Sequence, residues 1–200
     1  MINRLIATLA LCSASALVFA QTTAPTVRLR GTIEKVEAGS ITLKERSGEV
    51  IQLVMPSATP VSEVLAIALA EIKTGSFIGT AAMPQADGSQ LALEVLVFPE
   101  AARGAGEGHY PWDLAPQSTM TNATVADLAS SADGRVLTLK YKDGEKKLLV
   151  PASVPVVTFQ PGDASLLVPG AKVLVNAQLR DGKPTALRVL AGRNGFAPPM

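Results

Sequence analysis

The chain has 200 residues, with 18 Lys and Arg against 17 Asp and Glu, one Cys and 4% aromatics. A net charge of +1 excludes nucleic acid or an anionic membrane surface as a partner held by bulk charge. The lone thiol, Cys12, excludes an internal disulfide and a thiolate metal cluster.

Residues 1–20 read as an export signal. Arg4 supplies the positive start, and "LIATLALCSASALVFA" is an apolar run of 16 residues. Val18 and Ala20 fit the −3 and −1 positions of a cleavage site before Gln21. Trimming removes Arg4 and Cys12, which leaves 17 cationic and 17 acidic residues. No later run is long and apolar enough for a transmembrane span, so none is expected in the mature chain. The expected location is periplasmic or secreted.

The rest of the chain is a repeat. "SITLKERSGEVIQLVMPSATPV" is matched by "VLTLKYKDGEKKLLVPASVPV", and "IKTGSFIGTAAMPQADGSQLALEVLVF" by "LVPGAKVLVNAQLRDGKPTALRVLAG". The offset is 96 residues at Leu43 and Leu139, 95 at Gly75 and Gly170, and 94 at Ala92 and Ala186. Two one-residue deletions, which loops tolerate, account for the drift.

Each repeat reads as all-β. "TVRLRGTIEKVEA" alternates apolar and polar residues, as a strand with one buried face does. Hairpins are predicted at Ser47-Gly48, Asp87-Gly88, Asp143-Gly144 and Asp181-Gly182. One long strand and two hairpins give five strands per repeat. Between strands three and four, "SEVLAIALAEIKTG" predicts a short helix capped by Ser62. At the same place the second repeat has "VTFQPGDASLLVPG", which predicts a turn or one short helical turn. This is the strand order of an OB-like barrel. The expected fold is therefore two tandem five-stranded OB-like barrels. Residues 21–100 form the first, 101–121 a Gly-rich and aromatic linker, 122–195 the second, and 196–200 a tail.

The "GTIEKV" start, the Asp-Gly hairpins and "TGSFIGT" followed by "LALEV" resemble an exported bacterial OB-like domain family. Its linker is similar to "GEGHYPWD" and "STMTNATV" here. The resemblance implies fold and export and carries no chemistry. The label of metal ABC transporter permease that some members bear conflicts with this sequence, because a permease needs several spans of about 20 apolar residues.

The linker holds the only His, the only Trp and one of two Tyr. Three readings follow. Tyr110, Pro111 and Trp112 form a clasp between barrels, since aromatics bury large areas and Pro stiffens the chain. Alternatively, Tyr110, Trp112 and Asp113 form a surface for a glycan or partner peptide. A third reading is a copper site built on His109 and Met120, because imidazole and thioether suit that metal. No Gly-x-Ser-x-Gly is present, and one His would have to serve every catalytic scheme, so no enzyme is expected. The leading expectation is a non-catalytic, cofactor-free binding or accessory module of the cell envelope. Its partner would be a protein or an envelope polymer. The alternative is a periplasmic copper-handling accessory, and an enzyme comes third.

Overall fold

The Asp-Gly and Ser-Gly dipeptides do what their chemistry dictates. In a computed structural model of the chain, which describes residues 24–199, each lies between two antiparallel strands. At Asp181-Gly182 both residues have positive φ, 49° and 73°, the twist that a tight hairpin needs and that Asp and Gly tolerate. The expected export signal lies outside the described residues.

The described residues are all-β. In chain order the strands are β1 (Thr26–Glu37), β2 (Ser40–Glu45), β3 (Val50–Val54), β4 (Val61–Ala66), β5 (Phe77–Pro84), β6 (Gln90–Ala92) and β7 (Val95–Val97). There follow β8 (Gly108–Pro111), β9 (Thr119–Ser131), β10 (Gly134–Tyr141), β11 (Gly144–Pro151), β12 (Val156–Pro161), β13 (Lys172–Arg180) and β14 (Lys183–Ala191). Helical structure among the described residues is limited to 3-10 turns of three residues. None is long and apolar enough to cross a membrane.

The predicted helix is replaced by β4 and a 3-10 turn at Leu69–Glu71. Its counterpart β12 is equally extended, and the one short turn predicted there is Ala164–Leu166, capped by Asp163 through the Ser165 N–H at 2.7 Å. Local propensity loses because β4 has partners on both sides, β12 antiparallel and β14 parallel. Ladder hydrogen bonds and the burial of Ser62, Glu63 and Val64 outweigh a few tenths of a kcal/mol per residue.

Extended β4 and β12 also overturn the tandem arrangement. A helix there would fold each chain half back on itself, whereas a strand carries it across to the other half. One ring runs β13-β1-β2-β3-β14 and closes through β13 and β14. The other runs β9-β10-β11-β6-β5 and closes through β5 and β9. Each ring thus takes three strands from one repeat and two from the other. The interiors agree. Ile33, Ile41, Leu43 and Leu53 pack with Val173, Val175 and Val189. Ile78, Ala82 and Val95 pack with Val125, Leu139 and Leu148. The expected boundaries 21–100 and 122–195 therefore do not enclose the two cores.

A third cluster lies between the rings, where Val64, Leu96, Val157, Leu174 and Leu190 are buried with Phe98, Phe159 and Phe196 against them. Phe196 ties the expected tail into this cluster. The expected linker is partly strand as well, since β8 pairs with the start of β9.

Candidate functional site: a cavity between the two rings

The outer faces of the two rings meet over the β4–β12 seam and border a half-open cavity of about 340 Å³. From one ring, Arg28, Asn176 and Arg188 stand in a row across β1, β13 and β14. Opposite it, Asn122, Gly79 and Leu96 stand in a row across β9 and β5 of the other ring and the adjoining β7. Both rows line the cavity. Residues two apart on a strand share a face, so Leu174 lies beside Asn176, and Leu190 beside Arg188.

One irregularity, present in both repeats, brings charge to this face. The β5 register moves by one residue between the Ala82–Ala92 and Gly79–Leu96 pairs. The β13–β14 register moves likewise between Asn176 and Ala177. Such bulges re-aim side chains. Glu94 and Arg188 follow them, 94 residues apart like Ala92 and Ala186. The two are repeat counterparts with opposite charge, and both reach the same cavity.

Glu94 is 1% exposed. Its Oε1 accepts the Ala81 N–H at 2.9 Å, and its backbone carbonyl accepts the Thr80 hydroxyl at 2.6 Å. Burial pushes its pKa up to about 7, with the Ala81 hydrogen bond and Arg30 opposing. Arg188 is half-buried. It donates to Ser62 Oγ at 3.1 Å and lies 4.8 Å over the Phe159 ring. Burial lowers its pKa from the usual arginine value, and no carboxylate among the described residues forms an ion pair with it.

The "HYPWD" stretch forms one wall. Tyr110 and Trp112, on the same face of the chain and 6.2 Å apart, both line the cavity. The Arg28 guanidinium stacks 3.8 Å over the Trp112 ring. Asp113 holds Arg28 Nε at 3.1 Å and Arg30 Nη2 at 2.7 Å. Burial raises the Asp113 pKa, but hydrogen bonds and charge from Arg30 and then Arg28 outweigh it and hold the carboxyl below its usual range. The stretch therefore fastens β8 to β1 through Asp113 and the Trp112–Arg28 stack, while Tyr110 and Trp112 line the cavity. Desolvation raises the Tyr110 pKa.

His109 and Met120 do not come together. His109 pairs with Thr121 and Tyr110 with Met120 in the β8–β9 ladder, so the imidazole and the thioether lie on opposite faces. His109 Nδ1 is 2.8 Å from Thr121 Oγ1, and its ring stacks on Tyr141 at 6.3 Å. Burial, and then the Lys146 charge, lower its pKa. Met120 is 5% exposed and lines the cavity. The expected pairing of these two as copper ligands is corrected on this geometry. Among the described residues, no group of three or more His, Cys, Asp or Glu could hold a metal ion.

Four buried side-chain polar atoms among the described residues have no hydrogen-bond partner: Glu94 Oε2, Trp112 Nε1, Asn122 Oδ1 and Asn176 Oδ1. All four residues line this cavity. The orientation of the Asn122 amide is fixed, because its Nδ2 donates to the Ala105 carbonyl at 3.1 Å. Gly79 makes room for that side chain, since a Cβ there would meet Asn122 Oδ1 at 2.6 Å.

Sequence reasoning found Tyr110 and Trp112 by their rarity and Asp113 as their neighbour. It missed Glu94, Asn122, Asn176 and Arg188. The signal for Glu94 was present: a lone carboxylate in the apolar run "LALEVLVF", with Arg at the matched position of the second repeat. No known protein family, curated protein or solved structure matches the chain.

Proposed function

We propose that the protein is an exported, non-catalytic binding module of the cell envelope and that the cavity between the rings is its binding site. One observation carries this reading: the four residues that hold unpartnered buried polar atoms all line a single cavity. A buried donor or acceptor without a partner costs roughly 1–3 kcal/mol. Four at one place make sense where a bound molecule supplies the partners. The volume, about 340 Å³, lies at the lower end of small-molecule sites. It suits a small molecule or the end group of an envelope protein or polymer. Each ring, with its 1-2-3-5-4 order, is read as OB-like with its last two strands exchanged between repeats.

The test uses the full mature protein. It is incubated with the small-molecule fraction of envelope extract, and retained compounds are identified by mass spectrometry while Trp112 emission is followed. A retained compound that shifts Trp112 emission and raises the melting temperature supports the reading. It fails if no compound in the fraction, and no apolar dye, perturbs Trp112. Export itself predicts an intact mass beginning at Gln21.

A further inference from the structure

We propose that the cavity takes a small carboxylic acid that also carries a hydrogen-bond donor, an amino or hydroxy acid with an apolar body. This rests on the binding-site reading above and adds the chemical class of the ligand.

The charges come first. Arg28 and Arg30 share one carboxylate, Asp113. Arg188 pairs with no carboxylate among the described residues. Among the described residues, Glu94 is the only acidic side chain that lines the cavity, against two guanidinium groups. The excess is positive, so a cationic or neutral ligand would leave Arg188 uncompensated in a partly dry site. A carboxylate matches a guanidinium in geometry as well as in charge.

The donors and acceptors narrow the class. Trp112 Nε1–H can only donate, so it requires an acceptor. Asn122 Oδ1, fixed by the bond from its Nδ2 to Ala105, can only accept. Asn176 presents a second unpartnered oxygen beside Arg188 in the β13–β14 ladder. Sulfate would serve Arg188 and Trp112 but has no proton to give the two amide oxygens, and neither sulfate nor phosphate has an apolar body for the remaining walls. An amino or hydroxy group near the carboxylate serves the amide oxygens. Leu96, Phe98, Phe159, Leu174 and Leu190 supply apolar walls for the remainder.

The experiment titrates the full protein with four probes of one shape and follows Trp112 emission and calorimetric heat. L-phenylalanine and L-3-phenyllactate carry both groups, 3-phenylpropanoate lacks the donor, and 2-phenylethylamine lacks the carboxylate. The expected result is binding of at least one of the first two. Loss of the donor should weaken it about tenfold or more, and loss of the carboxylate should abolish it. Arg188→Gln should weaken the acids by about tenfold or more, and Arg188→Lys should restore part of the loss with an unchanged melting temperature. Calorimetry in two buffers near pH 6.5 separates the sources. An ammonium group ionises Glu94 and releases a proton, whereas a hydroxy acid releases none. Equal binding of 2-phenylethylamine, affinity indifferent to Arg188→Gln, or binding of neither acid overturns the ligand class. None of these outcomes touches the binding-site reading, which stands or falls on retention of an envelope compound.

Discussion

Val64 sits directly opposite Phe159 in the β4–β12 ladder, and the two are counterparts in the repeat, 95 residues apart. The ladder therefore reads the same from either strand. Ser62 faces Pro161 and Ala66 faces Val157, and each pair maps onto the other when the repeats are exchanged. Val64 and Phe159 mark a local two-fold axis, and the strand exchange between rings is its consequence.

A fragment of residues 21–103 should consequently fail to fold. It holds β1–β3 without β13 and β14, and β5–β7 without β9–β11, so both cores stay open. A fragment of residues 67–157 contains the whole second core and should give a β-type circular dichroism spectrum and a cooperative melt. A cooperative melt of the first fragment would restore the sequential domains.

Asp113 joins β8 to β1 through two guanidinium groups, one of which, on Arg30, is 9% exposed. Asp113→Ala should cost roughly 1–2 kcal/mol, less than a fully buried pair because Asp113 itself is 44% exposed. Its folded pKa is depressed, so the contribution is present above the ordinary Asp range near pH 4 and fades as pH falls through the folded value. Trp112→Ala should cost about 2 kcal/mol or more, since the buried part of the ring and the Arg28 stack are lost. Chemical denaturation at pH 7 and pH 3 checks both. A Trp112→Ala loss under about 0.5 kcal/mol would make the ring a free surface group.

The hairpins, the repeat and the all-β class were legible because each depends on local chemistry: Gly at positive φ, alternation along strands, and matched turn residues. The helix expected within Ser62–Gly75 failed because Glu63, Val64 and Leu65 were judged by local propensity. Their conformation is set by β12 and β14, more than 90 residues away in sequence. The same non-local pairing hid the exchanged rings. It also hid the site, for which Tyr110 and Trp112 were visible by composition alone. Glu94, Asn122, Asn176 and Arg188 acquire meaning only when two bulged sheets are set face to face.

Gly79 stands where the other repeat has Leu174, and both residues line the cavity. Gly79→Ala places a Cβ 2.6 Å from Asn122 Oδ1 and 3.0 Å from the Phe98 ring. The Asn122 side chain has to turn, which breaks its bond to Ala105. The expected cost is about 1–3 kcal/mol, with a change in Trp112 emission because the indole shares this wall. Wild-type stability and emission would mean that Asn122 is loosely held, and its oxygen could not discriminate ligands.

Glu94 makes the cavity sensitive to pH, and the sign is fixed by its raised pKa of about 7 against an ordinary 4.5. Between these values the folded state holds a proton that the unfolded state has released. Stability from this group is intact below about pH 4.5, falls as pH rises toward 7, and is level above. The full difference is about 3 kcal/mol at 1.4 kcal/mol per pH unit. Glu94→Gln keeps an oxygen for the Ala81 N–H and removes the ionisation. It should therefore match wild type near pH 4.5 and exceed it by about 3 kcal/mol at pH 8. Comparing the two proteins cancels His109, whose lowered pKa acts in the opposite direction below pH 6.5. Urea denaturation across this range reads the difference directly. A constant gap between the two proteins at every pH would show that Glu94 ionises normally, with its charge compensated inside the fold.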